Sequence, residues 1–304
     1  MVATLDYDAF PHIFTTVVEY CDRKTLNGLR LLSAATKRDV DRRDCRHLRS
    51  ICPRNSNEKP IWALDRNSGS PFLAKCNEEL RTNRVVTKDQ AFAVKNARSL
   101  TICVGHLDEM CLETNTGQKG ETGTDAKARH LLQYMRPDCR LSLIHMFFDP
   151  DRDPPTVSPL SRTISLPAIY ELTIEYTDYF PECACSPETQ LEHTSPRLKL
   201  VEIEHRDRLC PLAVTAFTPT VEELTLVVTN YRCVSAYIED IKHLRLHPNL
   251  SVTVRYYDTT AIIDKDSLHR KLESVQAHQA VWSEALGVPV EVEARRAPST
   301  GMWG

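Results

Sequence analysis

At 304 residues the chain is long enough for one large domain or two ordinary ones, and 41% hydrophobic with 26% charged residues excludes bulk disorder. Lysine plus arginine at 38 against aspartate plus glutamate at 41 gives a net charge of -3, which removes the electrostatic case for a dedicated nucleic-acid binder. Glycine is scarce, 9 residues against 18 prolines, and leaves little material for phosphate-cradling loops. The 11 cysteines are odd in number, and Asp6 and Asp8 interrupt the only early apolar residues. Together these predict reduced, packed thiols in a cytoplasmic or nuclear protein, and no apolar stretch is long enough to suggest a membrane association.

Residues 5–49 predict three short helices. In the first, Ile13, Phe14, Val17 and Val18 form one apolar stripe behind Pro11, which suits a helix start. Asp22 offers a cap to the second, whose Leu26, Leu29 and Leu32 share a side and leave Lys24 and Arg30 in water. The third runs from about Thr36 to Leu48 with Val40, Cys45 and Leu48 as its inward candidates. So few apolar residues bury only a small core, which predicts that part of the stripe needs a partner surface.

The order Phe10-Pro11, Ile13-Phe14, Val17-Val18, Tyr20, Asp22, Leu26, Leu29-Arg30-Leu31-Leu32-Ser33 resembles the F-box. The resemblance implies a trihelical unit that holds a Skp-type adaptor of a cullin-RING (SCF-type) ubiquitin ligase, while the rest of the chain recruits a protein substrate. Carried over by position, Phe10, Pro11, Ile13, Phe14, Val17, Val18, Leu26, Leu29 and Leu32 would be its adaptor-facing or core residues. His12 and Ile13 stand where the family has an acidic residue after the proline, and Thr36 replaces a common tryptophan.

Residues 50–84, with Pro53, Pro60, Pro71 and Asn67-Ser68-Gly69-Ser70, read as linker and loops. From 85 to 295, short apolar segments predict strands at Leu100–Val104, Leu141–Leu143, Leu172–Ile174, Val201–Ile203, Leu224–Leu226 and Val252–Val254. Prolines 137, 167, 196, 219 and 248 precede them at spacings of 30, 29, 23 and 29 residues, which resembles an irregular leucine-rich repeat. The asparagine of the regular repeat is replaced by Thr177, Arg206 and Thr229. Helices are predicted at Asp125–Met135, Ser235–Leu246 and Asp266–Leu286, the last capped by Gly287, followed by a strand at Val288–Val292 and a tail at 296–304. The fold class is thus α/β: a short amino-terminal trihelical F-box-like unit followed by an irregular leucine-rich-repeat-like β/α domain. A non-repeating α/β domain is the alternative.

Local motifs offer no chemistry. Gly117, Gly120 and Gly123 lack the lysine-serine or lysine-threonine step of a phosphate loop, and Asp149-Pro-Asp-Arg-Asp-Pro-Pro reads as a solvated linker. Cys183 and Cys185 with His193 and His205 lack the spacing of a zinc knuckle. No Gly-x-Ser-x-Gly elbow is present. The sequence therefore predicts a non-enzymatic protein with no cofactor and no metal. Its expected partners are the suspected adaptor and a protein substrate, with an interaction scaffold whose first helices cap the repeat core as the competing account.

Overall fold

The computed structural model describes residues 11–49, 69–82, 86–103, 131–145, 162–176, 189–202, 209, 211–229, 231–258 and 265–296. The chain is mixed α/β and divides into two compact units, Met1–Leu100 with Thr122–Arg136, and Thr101–Glu121 with Pro137–Gly304.

In the first unit three short helices occupy the expected segment: α1 (Pro11–Tyr20), α2 (Arg23–Leu29) and α3 (Ala34–Asp44). The elements of this unit differ from the sequence reading in places. The third helix ends at Asp44, and Leu48 lies instead on a strand, β1 (His47–Arg49), where it is buried. Residues 71–82, expected as loop, form helix α4 (Pro71–Thr82), followed by α5 (Lys88–Lys95) and β2 (Ser99–Cys103).

The start of α4 has a physical cause. Gly69 takes a φ of 60°, a left-handed conformation open to glycine, and turns the chain into Ser70, whose hydroxyl accepts from Leu73 N–H at 3.4 Å. Pro71 then fills the first helical position, where no amide bond is lost. Leu73 and Cys76 of α4 and Ala93 and Val94 of α5 are buried, with the Phe72 and Phe92 rings edge to face at 5.7 Å. Burial pushes the Cys76 thiol up to about 12 and raises Cys45 as well, so neither is a poised nucleophile. β1 neighbours β2, and just ahead of them the carbonyl of Arg46 accepts from Arg98 and Ser99 N–H at 2.8 and 3.0 Å. Leu131, Leu132 and Met135, at the end of the helix predicted over Asp125–Met135, are buried; residues 125–130 lie outside the described residues.

The second unit carries, in chain order, β3 (Arg140–His145), β4 (Arg162–Ser165), β5 (Glu171–Tyr176), β6 (Thr189–Glu192), β7 (Arg197–Glu202), α6 (Pro211–Thr215), β8 (Glu223–Val228), α7 (Tyr231–Ile241), β9 (Ser251–Asp258), α8 (Lys265–Leu286) and β10 (Val290–Arg296). The strands β3, β5, β7, β8, β9 and β10 lie side by side in chain order, each parallel to the next. The crossings run through β4, β6, α6, α7 and α8, and β4 itself pairs in parallel with β6.

Register follows the buried aliphatics. Leu141, Leu172, Leu198, Leu224, Val252 and Val290 form one matched row, and Leu143, Ile174, Leu200, Leu226, Val254 and Val292 a second. All are buried except the half-exposed Val292, because alternation turns both rows to one face. This corrects the proline-based alignment. Leu198 and Leu200, not Val201 and Ile203, match Leu172 and Ile174, because Pro196 directly abuts its strand whereas Pro167 and Pro219 stand several residues ahead of theirs. Thr177, Arg206 and Ile203 lie outside the described residues.

α7 begins earlier than expected and ends at Ile241, with Tyr237, Ile238 and Ile241 inward. α8 spans the expected length, buries Val275 and Trp282, and stops at Gly287 with φ 67°. Trp282 Nε1 donates to Ser235 Oγ at 3.1 Å. No helix among the described residues is long and apolar enough to cross a membrane.

His193, following β6, is buried and fully bonded. Its Nδ1 accepts from Ser195 N–H at 3.2 Å, which leaves the proton on Nε2 to donate to the Ala216 carbonyl at 2.7 Å. Burial holds its pKa below the ordinary 6.5, with the Ala216 carbonyl acting in the opposite direction. A second proton on Nδ1 would face an N–H donor. As pH falls through about 6.5 the unfolded chain takes up a proton that the folded one refuses, so stability decreases below that pH and levels off beneath the folded pKa. Urea midpoints between about pH 7.5 and 5 should therefore show the wild type's advantage over His193→Gln narrowing with acidity; a constant difference would contradict this linkage.

Candidate functional site

The three amino-terminal helices are held by a small core and a set of ion pairs. Val18, Leu26 and Val40 are buried together, with Cys21 and Leu29 packed against them. Asp22 Oδ1 accepts from Thr25 N–H at 2.7 Å and starts α2 as expected; this backbone bond is the main reason its carboxyl sits below its ordinary pKa. α3 opens with a reciprocal cap, Ser33 Oγ accepting from Thr36 N–H at 3.1 Å and Thr36 Oγ1 from Ser33 N–H at 3.0 Å.

Arg30, expected in water, is turned inward. Its Nε and Nη2 donate to the two oxygens of buried Asp41 at 2.6 and 3.4 Å, tying the end of α2 to α3. Arg23 Nη1 donates to Asp44 Oδ1 at 2.6 Å, a second α2 to α3 link. Arg43 Nη1 reaches the Cys21 carbonyl at 2.9 Å and Arg46 Nη1 reaches Glu19 at 2.5 Å, so α1 is tied as well.

The predicted site residues fall into two groups. Val18 and Leu26 are core, and Phe14 and Leu29 are half-buried. Pro11 is exposed, Ile13 and Val17 on α1 are 38% and 40% exposed, and Leu32 is 69% exposed. Leu32 was expected on the α2 stripe, but α2 ends at Leu29 and Leu32 lies in the following turn, where its N–H bonds the Leu29 carbonyl. Phe10 lies outside the described residues. Leu31, 83% exposed, and Tyr20 are further exposed large side chains of this segment that the family pattern does not single out. The sequence holds a signal for Leu31: in Leu31-Leu32-Ser33 the serine caps the next helix, which ends the α2 stripe at Leu29.

A second surface is visible only from register. Opposite the buried rows, the second unit's sheet presents Ser142, Thr173, Lys199, Thr225 and Thr253 side by side, all half-buried. Beside this row Arg197 pairs with Glu223 at 2.9 Å and lies 4.5 Å over the Tyr170 ring, and Arg255 pairs with Glu293 at 2.9 Å. Nearer the strand ends Ile144, Val201 and Val227 are buried on this same side.

Among the described residues no group of three His, Cys, Asp or Glu side chains is placed to hold a metal ion. His193 is committed to Ser195 and Ala216, whereas Cys183, Cys185, His205, the Gly117–Gly123 loop and the Asp149 cluster lie outside the described residues. In comparisons with known proteins, no family model, no curated protein and no solved structure matches the chain.

The Arg30–Asp41 pair yields a stability test. Arg30→Ala leaves a buried carboxylate unpaired and should cost about 3 kcal/mol in urea unfolding, while Arg30→Met with Asp41→Leu should recover most of it. A loss under about 0.5 kcal/mol for the single variant would mean the pair behaves like an exposed one.

Proposed function

We propose that the protein is a non-catalytic, substrate-recruiting subunit of an SCF-type ubiquitin ligase, its amino-terminal helices binding a Skp-type adaptor. The observation that supports this most is the division of aliphatics in the helical trio. Val18 and Leu26 fill its interior, and Ile13, Val17, Leu31 and Leu32 remain outside although the same short segments carry them. Such residues are what an apolar interface requires. On this reading the substrate is a protein held by the outer side of the parallel sheet, where the Thr173, Lys199 and Thr225 row and the Tyr170–Arg197–Glu223 group offer hydrogen bonds and charge. The matched aliphatic rows support the leucine-rich-repeat resemblance of that sheet. The chain itself performs no reaction.

A second reading, an interaction scaffold in which the helices serve as a cap, draws on one specific feature. α3 leads directly into β1, and Arg46 between them accepts from Arg98 and Ser99 at the start of β2. The trio is thus continuous with strand structure in its own unit.

Co-purification of the full chain with a Skp-type adaptor separates the two. Ile13→Asp with Val17→Asp alters exposed positions, so the chain should stay folded while adaptor affinity drops roughly thirtyfold or more. A folded wild type that does not retain the adaptor would favour the cap.

A further inference from the structure

The helical trio carries a charge imbalance that its own folding does not consume. Residues 11–49 hold nine lysines and arginines against five aspartates and glutamates, whereas the whole chain has 38 against 41. All five carboxylates are engaged within the trio and its first strand connection: Glu19 with Arg46, Asp39 with Arg42, Asp41 with Arg30, Asp44 with Arg23, and Asp22 at the start of α2. Lys24, Lys37, Arg38 and Arg49 are exposed and make no ion pair with described residues.

Two of these cations, Lys24 in α2 and Lys37 in α3, stand in the first turn of their helices, against helix electrostatics. None of α1, α2 and α3 has an acidic residue in its first turn. Lys37 closes the first turn of α3 behind the Ser33 cap, where the helix dipole disfavours positive charge, and Arg38 follows it. Lys37 therefore gains nothing from the dipole of the helix that carries it. Directly before that cap stand Leu31 and Leu32, the most exposed aliphatic side chains among the described residues.

We propose that the turn between α2 and α3 docks an acidic protein surface, with Leu31 and Leu32 entering an apolar groove and Lys37 and Arg38 facing carboxylates at its rim. This rests on the reading of the trio as a docking unit and adds the chemistry of its partner. A single-stranded nucleic acid calls for aromatic platforms beside the cations, and the exposed side chains directly before the Ser33 cap are the aliphatic Leu31 and Leu32, the exposed Tyr20 standing at the end of α1. A lipid surface calls for a helix with a large exposed apolar face beside its cations, and α3, which carries Lys37 and Arg38, has Val40 as its one large apolar residue, and that is buried. Charge complementarity with a protein groove uses both features of the turn at once.

The test measures binding of the full chain to a Skp-type adaptor at roughly 50 and 500 mM salt, for the wild type, Lys37→Glu with Arg38→Glu, and Leu31→Ser with Leu32→Ser. The proposal expects about a tenfold or greater loss from raised salt, from charge reversal and from the serine pair. Adaptor binding indifferent to salt and to charge reversal overturns the proposal and leaves the adaptor reading standing. If the adaptor does not bind at all, that reading fails, and fluorescently labelled poly-L-glutamate decides the proposal. Binding that charge reversal weakens roughly tenfold supports it, and absent or unchanged binding overturns it. Tighter binding of single-stranded RNA or phosphatidylserine vesicles than of poly-L-glutamate through the same residues also overturns it.

Discussion

The interior of the helical trio has room for little more than Val18, Leu26 and Val40, and most of what distinguishes this segment follows from that limit. Full burial of such side chains stabilises by about 1.5–3 kcal/mol each, which is set against the ordering of nearly forty residues. Apolar packing alone therefore fixes the helices poorly. The arginine links supply direction: Arg30 to Asp41 and Arg23 to Asp44 set α2 against α3, and Arg43 to the Cys21 carbonyl and Arg46 to Glu19 hold α1. With the interior filled and the geometry pinned by charge, Ile13, Val17, Leu31 and Leu32 have no inner place to occupy.

The second unit solves the same problem differently. Each strand contributes two aliphatics to a pair of rows that continue through six parallel strands, so no single strand has to close a core by itself. Because register depends on those rows, the crossings are free to vary, and they pass from short strands at β4 and β6 to helices at α6, α7 and α8. The opposite side carries the polar Ser142–Thr253 row together with the buried Ile144, Val201 and Val227, so only its polar row can carry function without disturbing buried packing.

Much of this was legible in the sequence. The three helices, the Asp22 cap, the strands around Leu100, Leu141, Leu172, Leu224 and Val252, and the Gly287 stop all follow from period and capping chemistry. What escaped has definite causes. Proline spacing marks a repeat in the sequence, but proline fixes only its own φ and strand register answers to burial, so a match on Pro196 displaces the β7 segment by three residues. The Ser70-Pro71 start of α4 was hidden in a polar, proline-bearing stretch that composition assigns to loop. A charged residue beside a helix is usually solvated, and the partner that draws Arg30 inward, Asp41, lies on another helix, so local pattern does not show the pair. Of the candidate site, the sequence showed which residues are apolar, but which of them turn inward is decided by packing between helices.

Hydrogen-deuterium exchange of the full chain with and without a Skp-type adaptor tests the central claim most directly, because it reports where protection arises without altering any residue. The account predicts new protection confined to residues 11–38, strongest around Ile13–Val17 and Leu31–Leu32, with the second unit's sheet unchanged. Absence of protection in these segments, or protection only along the sheet, would contradict it.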